Sequence, residues 1–415
     1  MPEVADAQDA TLREVIEALA PLERRAGSPA EERAARWIAG RLSDAGCAAA
    51  VEEEQFLDGY APLIAGLAAV GAAAGAAGLA RGLRRPAAAV AAAVTAAIAD
   101  DISNGPRIAR RVSTKPKTTW NVVASCGDPA AKRTLVVLAH HDAAPTGRIF
   151  DDRAQVWLGR RFPGILERID TSLPLWWAML AAPAMVAAGA ARDRPGLQYA
   201  GLAGSLLATA VFADIARSPI VPGANDNLSA VAVLVALAER MRSDPVEGLK
   251  LLLVSCGAEE VIQGGIYGFA ARHFPALDNK RTWFLNIESV GSPALVLLEG
   301  EGPVVMEDYH DRSFRDLVAR AADRAGAPLR RGMRARNSTD SVIPSRASYP
   351  TATLASMDRY KALSNYHQMT DTPENLDYTT VRHALVVTEA TARELAANPW
   401  ITRSTDSSSG SRRGQ

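Results

Sequence analysis

The stretch LKLLLVSCGAEE, residues 249–260, indicates how the chain is organised. Its first six residues are apolar except for one lysine, which predicts a buried strand. Small residues then lead to two adjacent carboxylates, Glu259 and Glu260, and a helix is predicted to begin near Gly264. Successive side chains at a strand end point in different directions, so one carboxylate can bind a metal ion while the other faces a water molecule. Taken alone, however, adjacent glutamates are most often a solvated surface feature.

The overall composition narrows the classes of function. The 415 residues include 46 Lys and Arg and 46 Asp and Glu, so the formal net charge is zero. Because nucleic-acid-binding proteins usually carry a basic excess, we expect no nucleic-acid partner. The three cysteines are far apart and odd in number, which predicts neither a disulfide framework nor a CxxC zinc site. The acidic first twenty residues do not have the pattern of a secretory signal peptide.

Two apolar blocks interrupt this soluble pattern, and each has the form of an apolar run, a basic turn and a second apolar run. They predict two inserted helical hairpins, at residues 59–106 and 172–214. The longer uncharged runs, at about 20 residues, are long enough to span a bilayer. The run at 87–99 is short and rich in alanine, so a soluble helical subdomain, either buried or dimerising, is the alternative. Arginines at the hairpin tips favour cytoplasmic tips, whereas the basic stretch 107–117 favours the opposite orientation.

Outside these blocks, strands and helices alternate along the chain. This order predicts an α/β fold with a mixed, mostly parallel central sheet sandwiched by helices. Residues 121–124 and 134–139 are predicted to be a strand pair joined by a Gly-Asp-Pro turn, and 148–172 to be irregular. The low-complexity tail at 403–415 is predicted to be disordered.

Ligand sites in such sheets lie beyond the carboxyl ends of the strands. Histidines and carboxylates recur at these predicted positions, in loops after a strand or just before a helix, namely His140, Asp226, Glu260, Glu288 and His367. Any one of them alone is more often a surface, cap or turn residue. Together, two imidazoles and three carboxylates suit divalent metals such as zinc. Five ligands are too many for one tetrahedral zinc ion, but they fit two ions if one carboxylate bridges the two.

Two further carboxylates have predicted roles beside these ligands. Glu259 is not needed as a ligand, so it is the natural acceptor for the proton of a metal-activated water. Asp142 follows His140 by two residues and can hold the imidazole in the orientation that binds metal. We therefore predict Glu259 and Asp142 as catalytic residues.

Eight segments carry a resemblance to a known family. In chain order they are RRAGSPAEERAARWIAGRL, NVVAS, LVVLAHHDAAP, PGANDNLSAVAVLVALAER, LLLVSCGAEEVIQGG, FLNIESVG, STDSVIP and YHQMTDTPENLD. With them the chain resembles the di-zinc aminopeptidases of clan MH, family M28. That group includes bacterial aminopeptidases, glutamate carboxypeptidases, endoplasmic-reticulum metallopeptidases and single-zinc glutaminyl cyclases. The resemblance implies a zinc-exopeptidase fold, a peptide substrate and two zinc ions per chain.

The resemblance also implies roles for individual residues. One zinc would be bound by His140 and Glu288, the other by Glu260 and His367, and both by a bridging Asp226. Glu259 would be the general base. Many secreted relatives have aspartate where this chain has Glu288, and glutamate there is similar to the endoplasmic-reticulum type.

Other parts of the family pattern are less direct. Asp340 falls on a family aspartate that supports the site. No clear counterpart exists to the substrate-facing tyrosine of some relatives, for which Tyr349 and Tyr366 are the candidates.

We expect a peptidase domain formed by residues 1–58, 118–150 and 218–402, associated with a membrane, expected to be a bacterial plasma membrane, through the two hairpins. A cytoplasmic location is the alternative. Two other functions stay open: a single-zinc acyltransferase of the glutaminyl-cyclase kind, and a non-enzymatic membrane ectodomain with a peptidase fold. Cobalt or manganese could replace zinc.

Overall fold

A nine-stranded mixed sheet lies at the centre of the computed structural model, which describes residues 2–398. The strands are β1 (Ala48–Leu57), β2 (Pro116–Gly127), β3 (Thr134–His140), β4 (Lys250–Cys256), β5 (Thr282–Glu288), β6 (Ala294–Glu301), β7 (Glu307–Asp308), β8 (Arg330–Ala335) and β9 (Thr351–Met357). Their order across the sheet is β1-β2-β4-β3-β5-β9-β6-β7, and β8 pairs with β6. The low-complexity tail at 403–415 lies outside the described residues.

Fourteen helices are found in the same described residues. They are α1 (Pro2–Leu19), α2 (Pro29–Asp44), α3 (Tyr60–Ala77), α4 (Arg84–Ile102), α5 (Ile108–Ser113), α6 (Arg153–Arg161), α7 (Pro163–Arg168), α8 (Leu175–Ala191), α9 (Pro195–Arg217), α10 (Ser229–Ser243), α11 (Gly264–His273), α12 (Arg312–Arg324), α13 (Val342–Arg346) and α14 (Tyr378–Ala397).

The four central strands β4, β3, β5 and β9 run parallel to one another. Strands buried on both faces are continuous apolar runs, and every residue of β3 is buried. One face packs against α1, α2, α10, α12 and α14, and the other packs against α11. The predicted α/β sandwich is thus confirmed, with a parallel centre and antiparallel pairs at its flanks.

The predicted pairing of 121–124 with 134–139 is wrong. Both segments are strands, but β4 lies between them: β2 pairs antiparallel with β4, and β4 pairs parallel with β3. The Gly-Asp-Pro turn brings the two segments close in sequence without fixing which strand each one pairs with.

The prediction that 148–172 is irregular is wrong for α6 and α7. Asp151 accepts the backbone N–H of Arg153 at 3.0 Å, which satisfies an end of α6 that would otherwise lack an acceptor. Both helices are short, so neither has enough turns to show a clear apolar period.

The two apolar blocks fold into α3, α4, α8 and α9, which pack as one four-helix bundle. Glycines let the backbones approach closely: a Cβ on Gly201 would lie 2.5 Å from the backbone nitrogen of Val186. Within the bundle, buried Gln198 donates a hydrogen bond to the Gly75 carbonyl at 2.8 Å. The end of the bundle next to the sheet packs against Val261 and Ile262, which directly follow the glutamate pair.

Candidate metal centre

The parallel strands bring the candidate site residues to one edge of the sheet, because their carboxyl ends lie side by side. His140 and Glu288 are the last residues of β3 and β5. Glu259 and Glu260 lie in the turn after β4, and His367 lies in the loop after β9. Asp226 lies in the turn that precedes α10 and completes the cluster.

The donor atoms form two groups that share one aspartate. His140 Nε2 lies 3.2 Å from Glu288 Oε1 and 3.3 Å from Asp226 Oδ1. His367 Nε2 lies 3.2 Å from Glu260 Oε2 and 3.4 Å from Asp226 Oδ2. In each group the donor atoms lie within 4.8 Å of one another. Each carboxylate oxygen of Asp226 therefore faces a different group.

These residues fit metal ions. Glu260 Oε1 and His367 Nε2, the ring nitrogen that faces Glu260 and Asp226, are buried without a hydrogen-bond partner. Leaving buried polar atoms unpaired is costly, and a cation between them would satisfy them. Imidazole and carboxylate donors are also the ligand set that zinc accepts.

The electrostatic environment favours positive charge at both histidines. Burial by itself lowers the pKa of His140, but Glu288, Asp142 and Asp226 together raise it well above its usual value. Burial also lowers the pKa of His367, but Glu260 and Asp226 outweigh burial and raise that pKa to about 10. The field that holds a proton at these nitrogens also attracts a metal cation.

Glu259 belongs to neither group but lies next to the first of them. Its Oε2 lies 3.9 Å from His140 Nε2, and its Oε1 accepts a hydrogen bond from Gln263 Nε2 at 2.8 Å. Burial raises its pKa well above the usual value, and Glu288 adds to the shift while His140 opposes it. Glu259 therefore has one oxygen fixed by the protein and one oxygen turned toward the candidate metal centre.

Comparisons with known proteins bear on this arrangement. The sequence model of the family described as Peptidase family M28 matches residues 209–392. This range holds Asp226, both glutamates of the pair, Glu288 and His367. The chain has the fold of M28 peptidases. His140 and Asp142 precede the matched range and join the site through β3.

Solved structures with the M28 fold cover nearly the whole chain at low identity. The LapA aminopeptidase of Legionella pneumophila is 11% identical to this chain, and the superposition covers 95% of this chain and 75% of LapA with a TM-score of 0.54. The aminopeptidase of Aneurinibacillus sp. strain AM-1 is 15% identical, with 94% and 93% covered and a TM-score of 0.51. The glutaminyl cyclase of Bacteroides thetaiotaomicron is 12% identical, with 93% and 97% covered and a TM-score of 0.55. No curated protein sequence matches the chain. The family match and these neighbours support a metallopeptidase-like or glutaminyl-cyclase-like function.

Within the M28 fold, Asp142 joins the ends of two strands. Its Oδ1 and Oδ2 accept the backbone N–H groups of Glu259 and Glu260 at 2.9 and 3.0 Å. Its Oδ1 also lies 3.4 Å from His140 Nδ1. Asp142 thus lies beside His140, as its spacing in the sequence predicts, and it also binds the backbone of the glutamate pair.

Several supporting residues of the candidate metal centre were not predicted from the sequence. Asp371 accepts the backbone N–H groups of Asn225 and Asp226 at 2.7 and 3.1 Å and so fixes the shared aspartate. Glu31 accepts the Ala258 N–H at 2.9 Å, immediately before the pair. Asp371 lies four residues after His367, and this position in the sequence could have indicated its role. Glu31 has only the sequence pattern of a helix cap, which does not indicate a role at the site.

The structure also separates the remaining candidates. The ring of Tyr366 stacks on His367 with centroids 3.9 Å apart, which places it at the candidate metal centre. Tyr349 packs in the core, and its hydroxyl donates to the Leu277 carbonyl at 2.9 Å. Asp340 is buried, and its pKa is raised to about 7 by burial and by Glu288.

Proposed function

We propose that this protein is a zinc-dependent exopeptidase, of the aminopeptidase type. The observation that carries the proposal is the position of Asp226, whose two oxygens face two separate groups of metal-binding donors at 3.3 and 3.4 Å. A carboxylate shared in this way suits two metal ions a few ångströms apart. The M28 fold and the aminopeptidases among its structural neighbours add support.

The proposed roles follow from the donor atoms. His140 and Glu288 would hold one ion, Glu260 and His367 the other, and Asp226 would bridge them. Bound there, zinc supplies Lewis-acid polarisation of a scissile carbonyl and of the attacking water.

Glu259 and Asp142 would act beside these ligands. Glu259 Oε2, the oxygen left free by Gln263, accepts the proton of the water and returns it to the leaving amine. Asp142 keeps the His140 ring and the backbone of the glutamate pair in place.

The decisive variant is Glu259→Gln, which keeps the shape of the side chain and one oxygen that can accept from Gln263, but not its basicity. We expect two zinc ions per chain, as in the wild type, and loss of most hydrolysis of aminoacyl reporter substrates, by about 100-fold or more. Glu239→Gln is the matched control, because Glu239 pairs with Thr11 and Arg41 away from the site. A metal-loaded Glu259→Gln enzyme with full activity would overturn the mechanism.

The excess of buried carboxylates supports the amino-terminal specificity. Glu288 and Asp340 both raise the pKa of Glu259, and Glu288 raises that of Asp340, so the site favours a positively charged group. A free α-ammonium group at the substrate's amino terminus would meet that preference. Cleavage of a reporter with a free amino group, but not of its N-acetylated form, is the expected result, and equal cleavage of both would exclude an aminopeptidase.

A glutaminyl-cyclase-like acyltransferase is the second candidate. The glutaminyl cyclases of Bacteroides thetaiotaomicron and Tannerella forsythia match the fold with TM-scores of 0.55 and 0.54. Metal analysis distinguishes the two functions: one zinc per chain together with cyclisation of an amino-terminal glutamine would establish the cyclase.

We also propose that the four-helix bundle inserts into a membrane, beside a peptidase domain formed by residues 1–58, 118–150 and 218–402. Helices Tyr60–Ala77 and Pro195–Arg217 are long and apolar enough to span one by length and composition. Leu206 and Leu207 are 56% and 64% exposed. An ion pair between Arg84 and Asp193, at 2.6 Å, joins the two hairpin tips.

Cell fractionation tests the membrane proposal. The protein should resist carbonate extraction of the membrane fraction and dissolve in detergent. Recovery of the active protein in the soluble fraction without detergent would show instead that the bundle is a soluble subdomain or a dimer interface.

A further inference from the structure

A chain of buried hydrogen bonds connects the segment between α4 and α5, at the base of the first inserted hairpin, to Glu259. Arg107 donates through Nη2 to Asn104 Oδ1. Asn104 Nδ2 donates to Gln263 Oε1 at 2.8 Å. Gln263 Nε2 donates to Glu259 Oε1, also at 2.8 Å. The three connecting residues are 6%, 8% and 3% exposed, in the order Arg107, Asn104, Gln263.

The direction of this chain is fixed by its first member. A guanidinium group only donates hydrogen bonds, so the oxygen of the Asn104 amide must face Arg107. The hydroxyl of Tyr267 donates to the same oxygen at 3.2 Å. The Asn104 amino group must then point to the oxygen of Gln263, and the amino group of Gln263 must point to Glu259.

A second contact fixes the Gln263 amide independently. Its Nε2 also donates to the backbone carbonyl of Ser338 at 2.9 Å, and a carbonyl can only accept. The Gln263 amide therefore presents a donor, never an acceptor, to Glu259 Oε1.

Two arginines that directly follow the first inserted hairpin also hold the backbone of the turn after the glutamate pair. Arg107 and Arg110 donate to the carbonyls of Ile262 and Val261 at 2.6 and 2.7 Å. Ile262 and Gln263 have φ values of 69° and 56°, in the left-handed region that side-chain-bearing residues adopt at a cost. Contacts from residues 107–110 help to offset that cost directly after the glutamate pair.

We propose that Asn104 and Gln263 are positioning residues for Glu259, so that the inserted hairpin is a working part of the active site and not only an anchor. Asn104 in the inserted hairpin orients the Gln263 amide, and that amide fixes Glu259 Oε1, which leaves Oε2 facing His140 in the candidate metal centre. This inference rests on the proposed role of Glu259 as the general base.

The sharpest test is Asn104→Asp in the full chain. Aspartate has the same shape and forms a charged pair with Arg107, but it offers no amide donor. Its second carboxylate oxygen would face Gln263 Oε1, so a repulsive contact between two acceptors would replace one of the two hydrogen bonds that orient the Gln263 amide, and the amide would be displaced from Glu259. We expect kcat for the reporter to fall about 10- to 100-fold, with KM, zinc content and the thermal midpoint unchanged. Gln263→Leu, which removes the donor directly, should lower kcat to a similar extent.

Gln198→Leu is the matched control, because Gln198 is a glutamine with the same 3% exposure whose amide donates within the bundle. It should keep the wild-type kcat. Wild-type kcat in Asn104→Asp or in Gln263→Leu would overturn the inference. A fall in kcat that accompanies loss of zinc or of thermal stability would also overturn it, because the role would then be structural.

The two proposals fail in different ways. If metal-loaded Glu259→Gln is fully active, the proposed mechanism is wrong. If Glu259→Gln is inactive while both positioning variants are fully active, only the present inference is wrong.

Discussion

Asp142 Oδ1 accepts the backbone N–H of Glu259 at 2.9 Å, across 117 residues of sequence. The contact ties the loop after β3 to the turn after β4, where the proposed base lies. The same carboxylate faces His140 Nδ1. Asp142 therefore couples the position of a proposed metal ligand, His140, to the position of the proposed base, Glu259.

Asp142→Asn should therefore weaken metal binding. The amide has only one acceptor oxygen for the two N–H groups, and it lacks the charge that faces His140. We expect zinc affinity to fall about 10- to 100-fold, measured by competition with a chelator.

Asp128→Asn is the matched control for that variant. Asp128 also accepts two backbone N–H groups, those of Ala130 and Gly248 at 2.9 and 3.0 Å, but it lies in the turn between β2 and β3. Equal zinc affinity in the two variants would contradict the coupling.

Metal stoichiometry should separate the two donor groups. His140→Ala and His367→Ala should each bind one ion per chain, because each removes a ligand from one group only. Asp226→Ala should weaken both sites, since its two oxygens face both groups. Metal analysis of the purified variants measures this.

His141→Gln is the control for the stoichiometry experiment. The ring of His141 lies within hydrogen-bond distance of the Ser255 hydroxyl at 2.9 Å and belongs to neither donor group. It should keep both ions. One tightly bound ion in Asp226→Ala would show that the sites are independent of this aspartate.

The residues of the candidate site could be predicted from the sequence because each one follows a recognisable strand or, for Asp226, directly precedes a recognisable helix. The apolar run before Glu259 and the run before His140 both end at the same edge of the sheet, and parallel packing brings those ends together. Local sequence pattern is sufficient for these residues, because the ends of strands and the starts of helices determine where they lie.

The connection from the inserted hairpin to Glu259 could not be predicted in the same way. Asn104 and Gln263 are 159 residues apart, and no local sequence pattern pairs one with the other. The packing of both hairpins into one bundle could not be predicted either, because an apolar run predicts a helix but does not identify the helix it packs against. Specific side-chain contacts between distant segments have no local signal.

The base of the bundle contains a buried ion pair that should be important for stability. Arg110 Nη2 lies 2.6 Å from Asp101 Oδ2, and the two side chains are 0% and 1% exposed. Asp101→Asn would leave the guanidinium buried without its counter-charge, which typically costs about 3–5 kcal/mol. Denaturant unfolding in detergent measures the loss.

The matched control for Asp101→Asn is Glu32→Gln, which breaks an exposed pair with Arg36. Exposed pairs contribute about 0–1 kcal/mol, so this variant should unfold almost as the wild type does. Similar losses of stability in both variants would show that the buried pair has no special role.

The buried carboxyl group of Glu301 should make stability depend on pH. Burial raises its pKa from the usual 4.5 to about 8, while its Oε2 accepts the Thr339 N–H at 2.9 Å. The folded protein therefore retains a proton that the unfolded chain releases. The contribution is fully present below the unfolded pKa and is lost as the pH rises through the folded pKa.

Glu301→Gln removes this titration and should flatten the dependence. Between about pH 5 and about pH 9, the thermal midpoint of the wild type should fall relative to that of the variant. Asp308→Asn provides a control of opposite sign, because hydrogen bonding to Arg334 lowers the pKa of Asp308, and its contribution is lost only toward acid pH. Parallel pH profiles for wild type and Glu301→Gln would mean that Glu301 is ionised in the folded protein.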